Sequence, residues 1–277
     1  AGRLNDDGSV TLTADQLDGL TITPAVDSDA DFNLTVTATS TDGADTATTT
    51  ATLPVTVAAV ADAPTLEVSA ASGDEDTAIA LDIVSALTDT DGSEVLSVTI
   101  DDIPDGTVLS AGTLNDDGSV TLTADQLEGL TFTTAANSDA DFDLTVTATS
   151  TDGTDTATTT ATLPVTVAAV ADAPTLEVSA APGDEDTAIA LDIASALTDT
   201  DGSEVLSVTI DDIPEGATLS AGTVDEDGSV TLNPAELAGL TITPAANSDS
   251  DFTLGVTATS TDGTDTATTT ATLPVTV

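Results

Sequence analysis

Apolar residues recur at every second position in short runs along this chain. Ile79, Leu81 and Ile83 share one face of the run that starts at Thr77, and Leu96, Val98 and Ile100 share one face of the next. Val120 and Leu122 continue the pattern. Phe142, Leu144, Val146 and Ala148 then alternate with Asp143, Thr145, Thr147 and Thr149, and Ala157, Ala161, Leu163, Val165 and Val167 complete the series. A period of two, rich in β-branched residues and broken by Asp-Gly or Pro, predicts antiparallel strands. Only Ala124 to Leu130 reads as a short helical turn. About seven strands in roughly 105 residues make a two-sheet Greek-key β-sandwich, here with a small aliphatic core and Phe142 expected as its one large plug.

The pattern repeats. Ala1-Gly2 returns as Ala111-Gly112 and Ala221-Gly222, and the intervening text follows almost letter for letter, giving a period of 110 residues. A period that long is a whole domain rather than one turn of a solenoid. The predicted organisation is all-β throughout: the second half of one repeat over 1–57, a linker at 58–63, a complete repeat over 64–167, a linker at 168–173 and a second complete repeat over 174–277. A complete repeat is long enough to bury some 60 to 70% of its unfolded surface and to fold alone. The half repeat over 1–57 is not, so its first-half strands are expected to come from further upstream or from another chain.

The joints carry one sequence, PVTVAAVADAP, at Pro54–Pro64 and again at Pro164–Pro174, with a single acid in each linker, Asp62 and Asp172. Because antiparallel strands reverse at every turn, loops 89–94, 115–118 and 150–155 are expected at the end where a repeat begins. Loops 73–76, 101–106 and 137–141 are expected at the end where it leaves. Both sets are acidic, so each joint should bring two acidic ends together around one linker acid, and the sandwiches should follow one another as an extended rod. With strands of about 8 to 10 residues at roughly 3.3 Å each, the spacing per repeat comes to about 40 Å and the rod to the order of 100 Å.

Composition changes this picture in one respect that matters. There are 50 Asp and Glu against one basic residue, Arg3, and no His, for a formal net charge of −49. The sign of that charge excludes nucleic acid and anionic membrane as partners. Without Cys there is neither a disulfide framework nor a zinc–thiolate site. No apolar run reaches the roughly 18 residues of a membrane span, so no membrane insertion is expected. Strong charge can signal disorder, but 39% hydrophobic residues in alternation signal folded strands. Acid–base catalysis would fall to carboxylate pairs with no aromatic platform for a sugar, and the chain is not expected to be an enzyme.

Carboxylates gathered within a few ångströms repel unless a cation sits among them. Lys and Arg cannot supply it here. A hard divalent cation with oxygen ligands can, and Ca²⁺ suits flexible loops bearing several acids. At the second joint the expected ligands are Glu75, Asp139, Asp141 and Asp172 on one side and Asp199 and Asp201 on the other, with Asp74 as an addition. At the first joint they are Asp29, Asp31 and Asp62 facing Asp89 and Asp91. No counterpart of Glu75 precedes the first joint in this chain, so that joint is expected to bind more weakly. Asp-Gly at 105–106, 117–118 and 152–153 reads first as tight hairpin turns, with ligand duty a lesser alternative for Asp152.

The stretch FDLTVTATSTDG…TATLPVTVAAVADAPTLE resembles the end of a cadherin repeat, with its LxVxAxD strand and an acidic linker closing in Ala-Pro. DTDGSE resembles the Asp-Ala-Asp loop of the following cadherin domain. GDED stands where cadherins carry a ligand Glu, and SDAD where they carry an acidic motif. The chain is more similar still to the tandem cadherin-like extender repeats of giant RTX adhesins exported by type I secretion, which share EDTAI, DTDGSE and Thr/Ala-rich strands. It lacks the Cys, Trp and Tyr hallmarks of immunoglobulin domains. Its linkers carry Ala59, Ala61 and one Asp where cadherins place several acids, so one or two ions per joint are implied rather than three. The resemblance implies an extracellular, Ca²⁺-rigidified stalk on a bacterial surface, holding an adhesive tip away from the cell, with neighbouring repeats as its partners. The alternatives are a module that itself binds a glycan or a cell-surface protein, and a self-associating subunit of a biofilm, filament or lattice.

Overall fold

The computed structural model describes residues 2–277. Strands dominate it, and the only helices among the described residues are single 3₁₀ turns at Ala14–Gln16, Ala124–Gln126 and Pro234–Glu236. The middle one begins the stretch 124–130 expected to turn, and Gln126 closes a capping box back on Thr123. No helix among the described residues is long and apolar enough to cross a membrane. The chain divides into two compact units. One runs up to Glu67 and adds Val84–Thr99 and Thr147–Thr160; the other comprises Val68–Ile83, Ile100–Val146 and Ala161–Val277.

The last repeat displays the sandwich in full. Its larger sheet has six strands in the order Ala181–Pro182, Asp265–Thr276, Phe252–Asp262, Val205–Asp211, Val230–Leu232 and Thr223–Val224. All its pairings are antiparallel except the first, where Ala181 and Pro182 run parallel to Val275 and Thr276. The remaining strands form a three-stranded sheet, Ile189–Ala190, Thr241–Thr243 and Thr218–Leu219, and a pair, Thr175–Ser179 with Asp192–Ala196. Strands that read as continuous in the sequence are therefore broken. The chain crosses from one sheet to the other between Leu219 and Thr223, where Gly222 takes φ +103° and a Cβ would meet Val230 Cγ1 at 2.4 Å. Only glycine fits that bend.

Between the sheets lies an aliphatic core: Ile189, Leu191, Ile193, Val208, Ile210, Leu232, Leu240, Ile242, Leu254, Val256 and Leu273 are all buried. These are the in-phase positions of the alternating runs, as period-two side chains on a half-buried sheet must be. The expected aromatic plug is misassigned. Phe132 is the fully buried ring, 1% exposed, and Phe142 is only half-buried, packing edge-on against it with centroids 5.7 Å apart. Phe142 opens its strand, whereas Phe132 lies in the middle of Thr131–Thr133. Phe132→Ala should destabilise its repeat by about 3–5 kcal/mol, while Phe132→Ile, the residue found at 22 and 242, should cost less than about 1.5 kcal/mol. Urea unfolding of the two variants checks both values.

The half repeat preserves only what is local to it. Its hairpin, Phe32–Asp42 with Asp45–Val55, has the register of the last hairpin position for position, Phe32 opposite Val55 as Phe252 is opposite Val275. The small hairpin Arg3–Leu4 with Val10–Thr11 is also present. Thr21–Thr23 is not a strand, although the matching Thr131–Thr133 and Thr241–Thr243 are. Those two pair with strands from the first half of their own repeats.

Candidate metal centre

Each linker is tied down by carboxylates that accept its backbone N–H groups. At the first joint Asp155 Oδ2 accepts from Ala61 N at 2.9 Å and Glu94 Oε1 from Asp62 N at 2.6 Å. At the second, Asp265 Oδ2 accepts from Ala171 N at 3.1 Å and Glu204 Oε1 from Asp172 N at 2.6 Å. Threonines hold the linker carbonyls in the same recurring way: Thr88 on Ala63 and Thr159 on Pro64, then Thr198 on Ala173 and Thr269 on Pro174. An Ala-rich link has no side-chain donors of its own, so its conformation is set by these acids and hydroxyls.

The two glutamates leave their second oxygens bare. Glu94 Oε2 and Glu204 Oε2 are buried without a hydrogen-bond partner. Asp89 and Asp199 are 3% and 2% exposed, and each uses Oδ1 to accept the N–H of the residue two further on, Asp91 and Asp201. Asp199 Oδ2 has no partner. At the first joint, carboxylate oxygens of Asp62, Asp89 and Glu94 all lie within 4.8 Å of one another. One oxygen on the backbone and one turned to its neighbours is an arrangement that repels itself without a cation.

A further set of acids flanks each cluster. At the second joint Glu75, 2% exposed, accepts from Val170 N with Oε1 at 2.8 Å and leaves Oε2 unpartnered. Burial pushes the Glu75 carboxyl up to about 7, helped by the charges of Asp262, Asp139 and Asp199 and opposed by the Val170 N–H. Asp262, 2% exposed, is likewise raised by burial and then by Asp139 and Glu204, and its Oδ2 is unpartnered. At the first joint burial raises Asp152, with Asp29, Asp91 and Glu94 adding to the effect. Asp27, at φ +60°, is raised by desolvation and by Asp89, Asp62, Asp91 and Glu94.

The predicted ligands divide accordingly. Asp62 and Asp89 sit in the first-joint cluster, Glu75 and Asp199 are buried at the second joint, Asp172 is held there through its backbone N–H on Glu204, and Asp29 and Asp139 are close enough to act on neighbouring buried acids. Asp31 and Asp141 accept from Val57 N and Val167 N at 2.8 and 2.9 Å, fastening the end of a repeat to its linker. Asp91 and Asp201 are exposed and cap their own loops, accepting from Ser93 N and Ser203 N, and hydrogen bonding by Ser93 holds the Asp91 carboxyl below the usual range. Asp74 is exposed, and the contact made there is the Thr77 hydroxyl donating to its carbonyl at 2.7 Å. The ligand set drawn from the sequence omits Glu94, Glu204 and Asp262, and it reads Asp152 first as a turn residue. All four are buried and belong to the clusters. Asp117, by contrast, is a turn residue as read: its Oδ1 takes the N–H and the hydroxyl of Ser119.

No family model and no curated protein matches this chain. Solved structures similar to it include the EC1-4 fragment of Drosophila N-cadherin, at 16% identity over 90% of this chain and 57% of that one, with a TM-score of 0.37. Human protocadherin-24 EC1-2 is 13% identical over 77% of this chain and 98% of its own, with a TM-score of 0.36. The Escherichia coli adhesin FdeC is 16% identical over 90% of this chain and 86% of its own, with a TM-score of 0.29. The chain thus spans little more than half of the N-cadherin fragment.

Proposed function

We propose that this chain is a run of extender repeats from a large secreted bacterial surface adhesin, stiffened at its joints by Ca²⁺ and holding an adhesive tip away from the cell. The observation that carries the reading is the bare, buried carboxylate oxygen, found at both joints in a chain with one basic residue. Glu75, Asp199, Glu204 and Asp262 each present one at the second joint, and Glu94 presents one at the first. Such oxygens are costly in water-poor surroundings and are what a hard dication takes as ligands. Asp62, Asp89 and Glu94 would hold the ion at the first joint; Asp172, Asp199 and Glu204 would hold it at the second, with Glu75, Asp139 and Asp262 beside them. The bound ion would supply charge neutralisation and nothing chemical beyond it. Sites of this extracellular type bind in the range of about 10⁻⁴ to 10⁻³ M, so they would be filled outside a cell and empty within one, where an unstiffened chain is easier to export.

The two ends of this chemistry have different partners. Each repeat keeps an aliphatic core that needs no ion, whereas a joint has only carboxylates and an Ala-rich link. Small-angle X-ray scattering should therefore show an extended rod in millimolar calcium and a flexible string in EDTA, at unchanged strand content by circular dichroism. An identical scattering profile in the two buffers would remove the joint mechanism.

A further inference from the structure

In the last repeat Gly255 stands mid-strand, where the other copies carry Thr35 and Thr145. No feature of the backbone requires it. Its φ is not positive, and the register runs through it without a bulge, opposite Asp211 on one side and Thr272 on the other. The exchange also forgoes a hydrogen bond, because the Thr145 hydroxyl donates to Asp102 Oδ2 at 2.7 Å and a glycine has none to offer Asp212. A glycine inside a strand weakens it, and such glycines mark places where a ligand or another backbone comes close. Here the missing side chain leaves a trough of about 430 Å³ on the outer face of the six-stranded sheet, and Asp211, Gly255, Thr257, Thr270 and Thr272 line it. The Asp211 carboxylate lies over Gly255 in the space a Cβ would take, a pose that a threonine at 255 forbids. Thr257 and Thr270 are not hydrogen-bonded to each other, whereas their counterparts are, Thr37 with Thr50 at 3.3 Å and Thr147 with Thr160 at 3.2 Å.

We propose that this trough binds a hexosamine with a free amino group, as a monosaccharide or as one unit of a polysaccharide. The sugar's ammonium pairs with Asp211, its ring hydroxyls exchange hydrogen bonds with Thr257, Thr270 and Thr272, and the glycine floor lets the ring lie against the strand. The chain itself has little to offer Asp211, since its one basic residue is Arg3, in another repeat. Its net charge of −49 draws a cation and turns away sialic and uronic acids. A plain alkylammonium would answer the carboxylate and leave the three hydroxyls idle, so an amine carried on a polyhydroxylated ring is the better match. The volume falls within the range of about 300 to 1,000 Å³ usual for small-molecule sites. This site belongs to the last repeat alone and does not depend on an ion at either joint.

The test is an NMR titration of the full chain, isotope-labelled at its glycine nitrogens and kept in EDTA, with glucosamine at slightly acidic pH, where its amine is charged. The Gly255 amide should shift saturably while the glycines of the other repeats stay in place, and binding should weaken at least about threefold from about 50 mM to about 500 mM NaCl. N-Acetylglucosamine, which lacks the charge, and n-butylammonium, which lacks the ring, should each bind at least about tenfold more weakly. Asp211→Asn should lose a similar factor. Gly255→Thr restores the residue of the other repeats, so its thermal transition should match or exceed the parent's, while saturation transfer from the protein to glucosamine should fall at least about tenfold. Absence of a saturable shift at Gly255 overturns the proposal, as does undiminished binding by Gly255→Thr, or n-butylammonium binding as tightly as glucosamine.

Discussion

Glu94→Gln should abolish calcium binding at the first joint while making the ion-free joint more stable. The carboxylate has two jobs in the structure. Its Oε1 accepts the Asp62 N–H at 2.6 Å, its Oε2 is buried without a partner, and a carboxylate oxygen of Glu94 lies within 4.8 Å of carboxylate oxygens of Asp62 and Asp89. An amide keeps the first job, because its carbonyl oxygen still accepts the linker N–H. It inverts the second, turning an acceptor into an N–H donor toward two carboxylates. Without calcium, that removes one like charge from a water-poor cluster and satisfies a bare group, worth about 1–3 kcal/mol. With calcium, it removes a ligand and puts a donor where the ion needs an oxygen, so affinity at that joint should fall by about a hundredfold or more. Glu94→Ala loses both jobs and should loosen the linker in either buffer. Differential scanning calorimetry with and without calcium distinguishes them: Gln raises the ion-free transition and erases the calcium-induced rise. If Glu94→Gln retains that rise, Glu94 is no ligand.

Glu94 is also where the sequence could have been read further. It lies in phase with Leu96, Val98 and Ile100, on the inward face of the same run, and Asp152 lies in phase with Leu144, Val146 and Ala148. An acid in register with core positions at the end of a strand is an acid held out of water. That signal was present but overshadowed by the loop letters beside it, and Asp-Gly at 152–153 argued for a turn. The turn is real, and the acid that precedes its glycine is 4% exposed all the same. Alternation located the core residues well because a sandwich buries one side of every strand. It could not choose between Phe132 and Phe142, since both are in phase and only the ends of the layers decide which one is covered. Nor could it distinguish linker-holding acids such as Asp31, Asp141, Asp155 and Asp265 from acids that turn an oxygen to their neighbours. Every acid in these loops looks alike in one dimension, and the hydrogen bond to a backbone N–H that separates them is a three-dimensional fact.

In the ion-free chain, stability of the second joint should fall as pH rises from about 4.5 to about 7. The group responsible is Glu75. Its carboxyl has an ordinary value of 4.5 and is pushed up to about 7, first by burial and then by the charges of Asp262, Asp139 and Asp199. Between those two values the folded chain keeps a proton that the unfolded chain has released. Folding then binds a proton, and raising the pH pulls the equilibrium toward the unfolded state. The full effect of such a shift is about 3 kcal/mol, complete above pH 7. Asp262 is raised as well and adds in the same direction. On the proposed function, calcium should reverse the trend, because the ion would take the ionised form: its affinity should climb with pH through the same window as the proton leaves. Glu75→Gln should flatten the ion-free dependence, since the amide still accepts nothing less than the Val170 N–H through its oxygen and has no proton to lose. Urea unfolding in EDTA at pH 5 and pH 8, on parent and variant, reads the difference directly. A parent as stable at pH 8 as at pH 5 would mean that Glu75 is not held in the dry, crowded position its oxygens occupy here, and the case for a cation beside it would fall with it.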